Sequence, residues 1–278
     1  MTTDVMTAGA RRNRSGWRGA ARRVWALSRA ELVLLRKNPL ALLVTAALPV
    51  GLVFLLRRSV PPEMAGVGLG AFLVTSMTGA TLILVVYYHL VTALVGRRED
   101  LLLKRLRTGE LSDGEILAGM LGPVVLIAWG QVLLGTVAAV AVFGLTMPVY
   151  LVLVVVAIVG GTAVFALLAL ATSGVTRSVR AAELTTTPVL IVSLALSGLM
   201  LPVQFLPEPL GQIARVLPLT PVVELLRLGL TGTTAGGQAV GPPAVSFGVA
   251  VPPLVVLAAW GAAGLLMTRC WFRWEPRR

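Results

Sequence analysis

Sixty-one consecutive residues, 116–176, carry no charged side chain. A helix or strand facing water does not dispense with charge over that length. About 20 apolar residues cross the hydrocarbon of a bilayer, so this stretch alone predicts two membrane-spanning helices. Glycine and proline punctuate it at Gly144-Leu-Thr-Met-Pro148, which is where the break is expected. Other charge-free runs cover 40–56, 64–96, about 184–205 and about 244–268. The first of these lies between Arg36-Lys37 and Arg57-Arg58, where a cleavable signal would need small residues. The expected fold is an all-α polytopic membrane protein with six transmembrane helices, at about 40–56, 66–95, 116–143, 148–173, 184–205 and 244–268.

Composition agrees with a bilayer as solvent. Only 13% of residues are charged, 56% are hydrophobic and the mean hydropathy is +0.88, against about 25% charged in soluble domains. The single cysteine, Cys270, excludes an internal disulfide. A net charge of +12 and a pI near 11.5 would suggest nucleic acid in a soluble chain. Here the charges cluster between apolar runs, so they read as topology and no nucleic-acid partner is expected. With a cytoplasmic N-terminus, twenty Lys and Arg fall on the inner segments and four on the outer ones. Both termini are therefore expected in the cytoplasm of a plasma or inner-membrane protein, with basic tails at 1–16 and 269–278 flanking one transmembrane domain over 17–268.

Residues 17–37 are too charged to span. On a helix, Arg18, Arg22, Arg29 and Arg36 fall within a strip of about 40°, opposite Ala20, Val24, Leu27 and Leu34, with Trp17 and Trp25 suited to the membrane interface. This predicts an amphipathic helix lying among lipid headgroups. The inner loop 97–115 begins Arg97-Arg98-Glu99-Asp100 and continues through Lys104-Arg105-Leu106-Arg107. An Asp100–Lys104 pair and a leucine face at Leu102 and Leu106 predict a short amphipathic helix, and Ser112-Asp-Gly-Glu115 predicts a capping box opening the next span. Such a helix serves either as a docking surface for a soluble partner or as a solvated connector.

These residues resemble a family. Glu99–Arg107 is similar to the cytoplasmic loop of type-2 ABC transporter permeases, the drug-resistance exporter kind. The second likeness is more specific: Leu201-Pro202-Val-Gln-Phe-Leu-Pro207, then Leu217-Pro218-Leu219-Thr220-Pro221, then Glu224-Leu-Leu-Arg227. Asn38-Pro39 and Pro49 also fit, and the likeness covers about 24–270. The chain departs from the pattern at Leu101-Leu102, where many members have glycine and a small or branched residue, and at Glu110, where proline is common.

The resemblance implies a permease subunit paired with a second copy or a close paralogue, powered by two copies of a cytoplasmic ABC ATPase. It implies that the loop helix docks on that ATPase, with Arg97, Arg98, Glu99, Asp100, Lys104, Arg105, Leu106 and Arg107 at the contact. It also implies that 202–227 forms an outer re-entrant segment capping the exit, and that the cargo is a lipophilic or amphipathic small molecule, such as a drug or antibiotic, or a lipid. The chain has no G-x-x-x-x-G-K-[ST], and its only lysines are Lys37 and Lys104, so ATP is expected on the partner and no cofactor on this chain.

The candidate pathway residues are His89, the only histidine, and Gln131, a lone amide in a span. His89 is also compatible with an interfacial position beside Tyr87 and Tyr88. A stand-alone ion- or proton-coupled carrier would need ionisable groups near the bilayer midplane, and His89 is almost the sole one. An intramembrane enzyme would need a convergent acid–base or metal constellation, and the sequence suggests none. Gly66/Gly68/Gly70, Gly160-Gly161 and Gly261/Gly264 read as sites of close helix packing.

Overall fold

The computed structural model describes residues 19, 21, 22, 24–26, 28, 29, 67–108, 112–199, 207–234, 239, 240 and 243–272. The expected first span at 40–56 lies outside them, as do Trp17, Arg18, Arg36 and Pro202. Among the described residues the secondary structure is helical, with one isolated antiparallel bridge between Thr233 and Ala239.

A long helix opens the bundle. It runs as α1 (Val67–Thr81), passes through a π-helical stretch (Leu82–His89) and continues as α2 (Leu90–Glu99). The short α3 (Leu102–Arg107) and the long α4 (Asp113–Phe143) follow. Next come α5 (Leu151–Val175) and α6 (Val179–Leu196), then two short helices, α7 (Glu208–Val216) and α8 (Thr220–Thr231), and finally α9 (Pro243–Trp271). Five stretches are long and apolar enough to cross a membrane: Gly68–Glu99, Asp113–Phe143, Leu151–Val175, Val179–Leu196 and Gly248–Trp271.

Helix ends differ from the charge-free runs. The run expected at 184–205 is helical from Val179 to Leu196. Ser178 caps its start by accepting a hydrogen bond from the Ala181 amide, and Gly198, at φ 83°, lies just beyond its end. Arg180 and Glu183 therefore ride exposed on the first turns, which a charge-free criterion excludes from the helix. The α4 start is the capping box expected from sequence, with the Glu115 carboxylate accepting from the Ser112 amide at 2.8 Å.

Helix α5 is the hub, and small residues make it so. A side chain at Gly160 would collide with Leu257 of α9, and one at Gly161 with Leu82 and Val222. Toward one end of the bundle, Gly174 leaves no room beside the main chain of Trp271. Lipid tails are as apolar as leucine, so helices in a bilayer gain little from burial and associate by such close approach. Two buried hydroxyls bond within their own helices, Thr78 to the Val74 carbonyl at 2.7 Å and Thr186 to Ala182 at 2.7 Å.

The pair α7–α8 is a hairpin that enters the bundle without crossing it. Gly229 of α8 faces Tyr150 and Val154 at the start of α5, while Val222 faces Gly161 near the middle of α5. The hairpin tip at Leu217-Pro218-Leu219 therefore sits well inside the bundle. Proline falls in the first turn of each short helix, Pro209 in α7 and Pro221 in α8, where its missing amide leaves no intrahelical bond unmade.

A Cβ at Gly174 would stand 2.1 Å from the Trp271 carbonyl oxygen, whereas one at Gly130 meets nothing within 4 Å. Gly174→Ala is expected to destabilise the chain by about 1–3 kcal/mol through overpacking. Gly130→Ala is expected to be neutral or slightly stabilising. Thermal unfolding of the two purified variants in one detergent checks this, and equal midpoints would refute the packing assignment.

Candidate functional site

Two neighbourhoods bring the sequence-predicted residues together: the loop between α2 and α4, and an apolar cavity beside the hairpin. The loop lies at the end of the bundle that also holds Arg177, Arg180 and Arg269, here termed the basic end.

Helix α2 ends at Glu99, and Leu101 then adopts a left-handed conformation at φ 58°, the only non-glycine residue to do so among the described residues. For a bulky residue that conformation costs about 1–3 kcal/mol. It restarts the chain in a new direction as α3, so Asp100 belongs to the end of α2 and does not share a helical face with Lys104. The leucine face of α3 also differs from the spacing. Leu103 is buried at 1% exposure and Leu106 packs on the core, while Leu102, expected on one face with Leu106, is 37% exposed. The left-handed residue sets the phase of α3, and spacing alone does not carry that information.

The loop charges separate into two sets. Glu99, Asp100, Lys104 and Arg105 are exposed, and Arg97 is half-buried. Arg98, expected at the same docking surface, is buried at 2% exposure. Its Nη1 donates to the Ser173 carbonyl at 2.8 Å and its Nη2 to the Thr176 carbonyl, both at the end of α5. Burial therefore removes Arg98 from any soluble partner's reach. Arg107 closes α3.

The described residues between 19 and 29 are helical, with Arg22, Trp25 and Arg29 exposed. The Arg29 guanidinium lies 5.5 Å from the Trp25 ring centroid, a cation–π contact. Ser28 donates to the Gly119 carbonyl at 3.1 Å, fixing this helix against α4 near the basic end.

In the hairpin, Pro207 precedes α7, and Pro218, Thr220 and Pro221 are buried at its turn. The Thr220 hydroxyl donates to the Ala214 carbonyl and locks α7 to α8. Arg227 donates to the Gly198 carbonyl at 3.1 Å, joining the hairpin to the end of α6. Burial pushes the Glu224 carboxyl above the usual carboxylate range, partly opposed by the charges of Arg215 and Arg227.

A cavity of about 330 Å³ opens beside the hairpin tip, bounded by Tyr87, Thr172, Pro188, Val192, Pro218 and Trp260. The π-helical stretch ahead of α2 carries Tyr87 into it, edge-on to Phe165 with ring centroids 6.4 Å apart. The Tyr87 hydroxyl and Thr172 Oγ1 are 3.2 Å apart, and Trp260 Nε1 donates to the Val216 carbonyl at 2.7 Å. With Ser193, these hydroxyls are the polar features of an otherwise apolar wall. The arrangement can hold an apolar body that has one hydrogen-bonding group. His89 is exposed and Gln131 half-buried, and neither lines the cavity. Sequence reasoning singled out Tyr87-Tyr88-His89 for its histidine, whereas its first tyrosine is the residue at the cavity. Among the described residues no group of three His, Cys, Asp or Glu could hold a metal ion.

Compared with known families, residues 22–231 match the model described as ABC-2 type transporter, about three quarters of the chain. No curated protein matches it. The matched stretch takes in the loop, the cavity's tyrosine and the whole hairpin.

Leu103→Ala is expected to loosen α3 by about 2–5 kcal/mol, the usual cost of a large-to-small change in a core. Hydrogen exchange should then quicken over 101–107. Leu102→Ala should leave exchange there unchanged, and the reverse pattern would refute the inward face assigned to α3.

Proposed function

This chain belongs to the ABC-2 type transporter family, and on that premise we propose that it forms the translocation path of an ATP-driven exporter whose ATPase is a separate polypeptide. Family membership makes it a multi-pass membrane transport subunit and implies an ABC ATPase as partner. The proposal adds the site of pairing, the cargo class and the assembly.

The observation that carries the proposal is the form of α3: a short helix held down by Leu103 and Leu106, with Glu99, Asp100, Lys104 and Arg105 exposed around it. A solvated connector has no need of a buried anchor, whereas a docking helix must be rigid to receive a push. Two such subunits, identical or closely paralogous, would carry two ATPases that bind ATP and close on each other. The basic end then faces the cytoplasm, in keeping with twenty Lys and Arg on that side against four on the other. The hairpin α7–α8 faces outward and caps the exit. The helix at 19–29 lies in the inner headgroup layer, its exposed arginines toward anionic lipid. The membrane is the plasma or inner membrane.

The apolar cavity supports a lipophilic or amphipathic cargo, a drug or antibiotic being the archetype, because among the described residues its wall offers hydroxyls and no carboxylate or cation to a ligand. The energy source is ATP on the partner, so this chain needs no cofactor of its own.

In mild detergent, the tagged chain is expected to copurify with a P-loop ATPase. The double charge reversal Glu99→Lys with Arg105→Glu should weaken that association by tenfold or more, since charge-matched interface pairs contribute about 1.5–7 kcal/mol. Both side chains are exposed, so melting should not change. Wild-type chain that purifies alone at every detergent strength, and transports with a proton gradient and no nucleotide, would overturn the proposal.

A further inference from the structure

Arg98 is the largest fully buried side chain among the described residues. It directly precedes the exposed Glu99 and Asp100, and its guanidinium reaches the end of α5. The last carbonyls of a helix have no partner within it, and the helix dipole concentrates negative charge there. A guanidinium that donates to both the Ser173 and Thr176 carbonyls answers each need.

That turn of α5 is shared. Thr176 Oγ1 lies 3.0 Å from Thr185 Oγ1 of α6. Gly174 meets the main chain of Trp271 at the end of α9, and a Cβ at Gly96 would stand 3.5 Å from Val179 at the start of α6. Arg98 thus anchors a joint where α2, α5, α6 and α9 converge. On its other side a main-chain path leads to the loop: the Leu101 amide donates to the Arg98 carbonyl at 3.1 Å, and the Arg105 amide to the Leu101 carbonyl at 3.0 Å.

We propose that Arg98 is a strut that carries displacement of α3 into the basic ends of α5, α6 and α9, and not a contact for the ATPase. The inference rests on reading α3 as the docking helix. Apolar side chains slide past one another at small cost, so α2 held to α5 by them alone would slip under load. Pulling a buried guanidinium from its carbonyls strands a charge and two acceptors in a low-dielectric interior, so the ends move together. Arg98 touches no cargo; it is a positioning residue.

The test uses the complex of full-length chain and ATPase in lipid vesicles. Cys270 is replaced by serine, and spin labels are placed at Met147→Cys and Leu210→Cys, two exposed positions, one beside the start of α5 and one on α7 of the hairpin. Labelled chains are diluted with unlabelled ones. In the Arg98-intact complex, trapping the ATPase with ATP and vanadate is expected to change the label distance. In Arg98→Gln the ATPase should copurify as before while the nucleotide-driven change is lost, and Arg98→Lys should restore part of it. A full-sized change in Arg98→Gln overturns the strut. Loss of ATPase association in Arg98→Gln also overturns it, because Arg98 would then only shape the docking loop. Where Arg98→Gln does not fold, a full-sized change in Arg98→Lys overturns the strut equally. An Arg98-intact chain that never retains an ATPase refutes the reading of α3 instead.

Discussion

Hydrocarbon neither pushes helices together nor hydrates an unpaired amide, and the whole architecture answers that double constraint. What remains is close approach and internal hydrogen bonding, and α5 supplies both. Gly160 and Gly161 admit Leu257 on one side and Leu82 with Val222 on the other, so three neighbouring segments close on a single helix at nearly one level. Because Val222 belongs to α8, the same glycines let the hairpin reach inward as far as it does. The hairpin's irregular turn is tolerable at that depth because protein satisfies it: Thr220 bonds the Ala214 carbonyl, and Trp260 bonds that of Val216.

The cavity follows from these placements. The hairpin turns at Pro218, and α6 passes it with Pro188 and Val192, leaving space that Tyr87 enters from the π-helical stretch. A π-helical turn carries extra backbone per revolution and recurs at functional sites. Here it sits in the same long helix that ends in the charged loop. One continuous element, from Leu82 to Glu99, thus connects the cavity wall with the charged loop. A movement of the loop end has a direct route to Tyr87, while the second route, through Arg98, leads to Thr172 one residue from Ser173.

What the sequence disclosed follows the physics of each feature. Charge-free runs long enough for a bilayer made five of the long helices legible, and the Ser112–Glu115 capping box was visible because it is local. The segment 202–227 was expected through its resemblance to the family alone, and within it Pro209 and Pro221 fall in the first turns of the two short helices. Helix ends were less legible: α6 starts at Val179 because Ser178 caps it, and its first turns carry Arg180 and Glu183 into solvent, which no hydropathy pattern anticipates. The cavity was not legible. Tyr87, Thr172, Pro218 and Trp260 come from four separated stretches, and sequence periodicity carries no register between helices.

The loop shows most clearly where local reading fails. A run of charges with interspersed leucines suggests an amphipathic helix with Leu102 and Leu106 on one face and Arg98 among the exposed contact charges. The structure differs on both points, for related reasons. Leu101 takes a conformation that glycine accepts without steric cost and leucine does not. The break separates α2 from α3, so each can be oriented independently: α2 turns Arg98 into the protein, and α3 turns Leu103 in. A local rule broken at a joint, with buried anchors on both sides, is the pattern expected where structure yields to function. Five basic residues of this loop count alike toward topology, yet one of them lies inside the fold. A count of charges fixes which end of the bundle is basic, and only packing decides which of those charges a partner can reach.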